Sequence, residues 1–87
     1  MYRIFGKKSL NRIIDDLPAQ VKCKYLNLVK DLEATGATQF KKQNYSKLGD
    51  SRYHCHLGYR YVACWTLNKK DKTIEVCYVG SREGAPY

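Results

Sequence analysis

The sequence lacks the features that mark several classes of protein. No run of residues approaches the roughly 18 consecutive apolar positions that a membrane-spanning helix requires, so no such helix is expected. The N-terminal stretch Met1-Tyr2-Arg3-Ile4-Phe5-Gly6-Lys7-Lys8 has no uninterrupted apolar segment after its charges, and so is not ordered as a signal peptide. These two absences point to a soluble, cytoplasmic protein. In a reducing compartment the default state of cysteine is a free thiol. Cys23, Cys55, Cys64 and Cys77 form no Cys-x-x-Cys pair, and we expect them to be core or sheet residues. Acidic residues are also scarce: eight Asp and Glu stand against sixteen Lys and Arg, a net charge of +8. Such a surplus predicts an anionic partner, most often nucleic acid.

With 87 residues there is room for one domain, residues 1–87, and the 44 % hydrophobic content suffices for a modest core. Tyr2 to Phe5 alternates as an edge strand does. Ser9 is placed to cap a helix whose apolar face is Leu10, Ile13, Ile14 and Leu17. Pro18 suits the first turn of a second helix, with Asp16 as its cap. That helix carries an apolar stripe of Val21, Tyr25, Leu28 and Leu32, and Gly36 stands where a left-handed C-terminal cap belongs. Residues 36–50 have little periodicity and read as a loop with a short extended piece near Phe40. From there the period is two: Arg52–Leu57, Tyr59–Leu67 and Thr73–Val79 form three strands of an antiparallel meander. The fold class is therefore α+β, with an N-terminal edge strand and two amphipathic helices packed on an antiparallel sheet that ends in the meander.

Strand parity selects the candidate site. Tyr53, Cys55 and Leu57 fall on one side, and Arg52, His54 and His56 on the other. Tyr59, Tyr61, Ala63, Trp65 and Leu67 oppose Arg60, Val62, Cys64 and Thr66. The apolar sets suit the helix-covered side, which leaves His54, His56 and Arg60 together on the open side, with Arg82 just beyond the last strand. Imidazoles titrate near neutrality and can serve general acid–base catalysis. Guanidiniums offer bidentate donors to a phosphate gathering charge in a transition state. That set suits attack of a ribose 2′-hydroxyl on the adjacent phosphorus, with no metal or other cofactor required. The plain alternative is two solvent-facing histidines and two surface arginines, and a bulge in the sheet would shift the parity. A zinc site from His54, His56 and Cys64 is a further alternative, disfavoured by ligand spacing and the want of a fourth partner. Basic residues cluster between Lys41 and Arg60 with only Asp50 opposing them, so Lys41, Lys42, Lys47 and Arg52 are candidate RNA phosphate contacts. Tyr45 is expected to anchor its loop against the core.

The C-terminal half, Tyr53-His54-Cys55-His56-Leu57-Gly58-Tyr59-Arg60-Tyr61-Val62, then Val76-Cys77-Tyr78-Val79-Gly80-Ser81-Arg82 and Tyr87, resembles the RelE/ParE toxin superfamily. In RelE-like members basic residues alternate on one strand, a Gly-Tyr-Arg opens the next, and Val-Gly-x-Arg ends the last. The likeness extends over nearly the whole chain, with sharp matches between Tyr53 and Tyr87. It implies an mRNA interferase, the toxin of a toxin–antitoxin system, that cleaves message on the ribosome and is neutralised by a cognate antitoxin. The expected assembly is a dimer or a heteromeric complex with that antitoxin, away from membranes. By the same resemblance one of His54 and His56 is the general base, Arg60 holds phosphate, Arg82 stabilises the transition state or leaving group, and Tyr87 orients a nucleotide. Some relatives carry lysine at the histidine positions, Ser81 stands where His or Lys is common, and the longer C-terminal helix of some relatives has no counterpart after Tyr87. The rival readings are a ParE-like gyrase inhibitor without catalytic residues and an inactive RNA-binding relative.

Overall fold

A computed structural model describes residues 2–39, 45–49, 51–58 and 60–85. The elements run β1 (Arg3–Gly6), α1 (Ser9–Asp15), α2 (Ala19–Thr35), β2 (Ser46–Lys47), β3 (Arg52–His56), β4 (Tyr61–Asn68), β5 (Thr73–Ser81) and a 3-10 turn at Arg82–Gly84. The strands form one sheet in the order β1-β5-β4-β3-β2. Both edges are short strands, and the α+β class stands as expected. The sheet is mixed, however. β1 lies parallel to β5, with Arg3 opposite Thr73, while the other pairs are antiparallel. The chain must cross the sheet between β1 and β2, and the two helices make that crossing.

Hydrophobic burial explains the helix positions. Leu10 and Leu17 of the α1 region and Tyr25, Leu28 and Leu32 of α2 are buried against Tyr53, Cys55, Leu57, Ala63, Trp65, Ile74, Val76 and Val79 of the sheet. Val21 and Ile14 pack at the margin, whereas Ile13, one position round the helix from Ile14, is exposed. Tyr45 anchors its segment as expected, stacked with Tyr53 and Trp65 at ring-centroid distances of 6.2 and 6.3 Å. The Trp65 indole N–H donates to the Ala37 carbonyl at 3.0 Å, satisfying the one polar atom of a fully buried ring. No described helix is long and apolar enough to cross a membrane.

The expected caps are corrected. Ser9 is already helical, with Lys8 before it, and Pro18 rather than Asp16 precedes α2; neither helix has a side-chain cap bond at its start. Asp16 instead closes α1, its N–H donating to the carbonyls of Arg12 and Ile13. Gly36 has φ of 90°, as its position required, but ψ of −165° takes the chain into an extended rather than left-handed helical geometry. A Cβ there would stand 2.8 Å from the Tyr2 ring, so the position tolerates only glycine. The extended piece of the loop falls at Ser46–Lys47, paired with Tyr53 and His54, while Phe40 and Asp50 lie outside the described residues. Cys55 and Cys64 are buried and Cys77 half-buried on strands, but Cys23 is exposed on α2.

Candidate functional site

One irregularity arranges the side of the sheet away from the helices. Cys64 pairs with Tyr78 and Trp65 with Val76, so Cys77 is an extra residue on β5. Such a bulge reverses the alternation along the strand. Ile74 and Val76 face the helices before it, and Val79 faces them after it. Tyr78 and Gly80 are thereby turned to the opposite side, where they continue two rows across the sheet: His54, Cys64, Tyr78 and His56, Val62, Gly80. Val62 and Cys64 are buried here, outside the helix-side core.

The expectation of an open histidine pair needs correction. His54 is only 8 % exposed, and its Nδ1 shares a hydrogen bond of 2.9 Å with the Ser46 hydroxyl, on the edge strand β2. Burial lowers its pKa; a backbone hydrogen bond at Ser46 opposes the shift, and the neighbouring His56 adds to it. The neutral imidazole is therefore the favoured form. His56 is half-buried, its ring centroid 5.9 Å from that of His54 with the planes tilted by 56°. Arg52 is exposed at the start of the same strand.

The arginines come together at the sheet's end. Arg60 lies not within β4 but on the bend before it, and Arg82 opens the turn after β5. The Arg82 N–H donates to the Arg60 carbonyl at 2.7 Å, which fixes the two backbones side by side. An open hollow of about 490 Å³ lies there, lined by Arg60, Tyr61, Ser81, Arg82 and Glu83. Ser81 caps the turn, its hydroxyl accepting from the Glu83 N–H at 3.2 Å. The Tyr78 phenol donates to the Ser81 carbonyl at 2.7 Å, so that an aromatic ring braces the segment carrying Arg82. Burial pushes that phenol's pKa up, with the nearby Cys64 thiol adding to the shift. Antiparallel pairing brings the end of β3, the start of β4 and the end of β5 together, so His56 is delivered to the same end of the sheet. The histidines are not among the described residues lining the hollow.

The remaining candidates divide. Lys47 pairs with Tyr53, and its ammonium lies 5.9 Å from the centre of that ring, on the helix side and away from His54. Lys41, Lys42, Tyr59 and Tyr87 lie outside the described residues. Among the described residues no three His, Cys, Asp or Glu side chains are grouped to hold a metal ion. Cys64, the third ligand considered for zinc, is buried with its thiol pKa pushed up to about 11, chiefly by desolvation. The residues not named beforehand as site residues are Tyr61, Tyr78 and Glu83. Tyr61 and Tyr78 stand within the motif segments, whereas the only sequence signal for Glu83 was its place beside Arg82.

No protein-family model matches the chain, and no curated protein matches it. Solved structures do. RelE in the archaeal RelE–RelB complex of Pyrococcus horikoshii is 23 % identical, with a TM-score of 0.76 over 97 % of this chain and 98 % of that one. The isolated Escherichia coli RelE toxin is 13 % identical at a TM-score of 0.75, covering 99 % of this chain and 89 % of that one. A chain of the Staphylococcus aureus YoeB–YefM complex is 14 % identical at 0.73, covering 94 % and 98 %. The fold is that of the RelE/ParE toxins, spanning essentially the whole chain.

Proposed function

We propose that this protein is the toxin of a toxin–antitoxin pair, a metal-independent endoribonuclease that cleaves messenger RNA on the ribosome in the cytoplasm. The observation that carries the reading is the backbone joint between Arg60 and Arg82, which sets two arginines beside one hollow on the end of the sheet where β3 delivers His56. Two arginines on adjoining backbones there suit a phosphate gaining charge in a transition state. His56, the less buried imidazole, takes the proton of a ribose 2′-hydroxyl. The freed oxygen attacks the adjacent phosphorus, and the bond from phosphorus to the next nucleotide's 5′-oxygen breaks. A proton returns to that oxygen, leaving a 2′,3′-cyclic phosphate and a 5′-hydroxyl. His54, buried and bonded to Ser46, suits positioning His56 rather than moving protons. The resemblance adds Tyr87 as the residue that orients a nucleotide, and the net charge of +8 supports RNA as the partner. The likeness to toxin chains solved with RelB and YefM supports an antitoxin as the second partner.

The test is purified protein added to translating ribosomes, with message cleavage read by primer extension. Cuts are expected, and His56→Ala should reduce them by about 10²–10⁴ while leaving binding intact. Intact message, together with a His56→Ala variant as toxic in cells as the wild type, would remove the nuclease reading. A second reading, a non-catalytic gyrase inhibitor of the same fold, draws on one observation: the described lining of the hollow holds arginines but no histidine. A supercoiling assay separates the two.

A further inference from the structure

The bend at Arg60 has a second side. Arg60 and Tyr61 also wall a smaller hollow of about 260 Å³ between the β3–β4 connection and the beginning of α2, lined further by Gln20, Val21, Lys24, Leu57 and Gly58. Lys24 reaches across from the helix: a Cβ on Gly58 would stand 3.6 Å from its ammonium nitrogen. Gly58 itself has φ of 122°, a conformation that strains any side chain-bearing residue. Gly58 thus offers bare backbone where the ammonium comes down. Two cations and an amide line this hollow, with no carboxylate among its described residues, whereas the larger hollow includes Glu83. The two hollows share Arg60 and Tyr61, a wall one residue pair wide.

Resting on the nuclease reading, we propose that Lys24 and Arg60 form a second phosphate subsite for single-stranded RNA. In this arrangement the strand crosses the sheet end from Arg82 to Lys24, and Tyr61, which packs partly against the core and lines both hollows, offers its remaining exposed surface to the base between the two phosphates. The chemistry is that of strand binding generally: a cation for each backbone charge, and an aromatic face that accepts any base. A duplex would not offer an unstacked base to the ridge. A nuclease that grips a neighbouring phosphate fixes the direction in which the strand leaves the scissile bond, and so its angle of approach at Arg82. On the sequence alone Lys24 is one of several lysines off the apolar stripe of α2; only the fold sets it beside Arg60.

The experiment measures binding of the full-length protein to 2′-O-methyl oligoribonucleotides, which lack the attacking hydroxyl, with one, two or three internucleotide phosphates. For the wild type, affinity should rise with the second phosphate. Lys24→Gln should remove that increment, about three- to tenfold, and lower the salt slope by about 0.7, while scarcely changing affinity for the single-phosphate dinucleotide. Tyr61→Leu should weaken the longer oligonucleotides without altering the salt slope. Arg82→Ala should weaken every length. The inference is overturned if Lys24→Gln binds every length as the wild type does, if it weakens all lengths equally, or if it impairs only antitoxin binding. A wild type that binds none of the oligonucleotides overturns the nuclease reading as well, so the two failures are told apart by the wild-type control.

Discussion

Tyr78 occupies the space that a side chain at Gly80 would need. A Cβ on Gly80 would lie 3.1 Å from the Tyr78 phenol oxygen, and one on Gly84 would lie 3.0 Å away, while the same phenol donates to the Ser81 carbonyl. The end of β5 is therefore built around a ring that folds back over its own strand, and Arg82 sits between the two glycines that admit it. Gly80→Ala should force the ring aside and destabilise the protein by about 1–2 kcal/mol. Tyr78→Phe should cost about 0.5–1 kcal/mol through the lost hydrogen bond. In the double variant Gly80→Ala with Tyr78→Leu the two effects should fall short of additivity in urea unfolding. Strict additivity would mean the two positions do not share that space.

His54 should make stability depend on pH. Burial lowers its folded-state pKa below the unfolded value near 6.5, so the unfolded chain binds more protons between the two values and stability rises with pH there. The contribution is fully present above about pH 6.5 and is lost as pH falls from there through the lower folded value. Thermal melts of the wild type should therefore fall between about pH 7 and 5 more steeply than those of His54→Gln. Parallel curves would show that His54 is not the group responsible.

Arg82 tests the proposed role of the larger hollow. If both guanidiniums contact the reacting phosphate, Arg82→Ala and Arg60→Ala should each slow message cleavage by about 10²–10³. Lysine should restore little, because an ammonium cannot supply the planar bidentate fork. Full rescue by Arg82→Lys would reduce the residue to a generic charge.

Glu83 separates two assignments of the proton. It is the carboxylate among the described residues of the larger hollow. With His56 as base, Glu83→Gln should preserve cleavage and tighten RNA binding a few-fold at low salt, since a repelling charge is gone. Abolished cleavage with retained binding would move the base from His56 to Glu83.

Lys47 should be silent in RNA binding. Its ammonium sits by Tyr53 on the helix side, so Lys47→Ala should leave the salt slope of binding unchanged. A reduced slope would place an RNA path over the opposite face of the sheet.

The legible part of the fold was whatever depended on local periodicity. The stripe Tyr25, Leu28, Leu32 and the alternation Tyr53, Cys55, Leu57 place core residues correctly, because burial of one face imposes the period of the element itself. The alternation failed as a guide to exposure at His54, Val62 and Cys64. Parity tells which side a residue faces but not what covers that side, and it is Ser46 of the edge strand, outside the meander, that pairs with and bonds His54.

Sequence alone determined the α+β class, the two helices and the basic charge, all of which follow from composition and short-range pattern. Tertiary structure decided the parallel pairing of β1 with β5, the meeting of Arg60 with Arg82 and the approach of Lys24 to the same bend. It also decided the bulge at Cys77, which turns Tyr78 and Gly80 to the side of the histidines. Each of these joins residues distant in the chain or turns on strand register, and register is settled by the packing of the whole sheet against its helices rather than by any one segment.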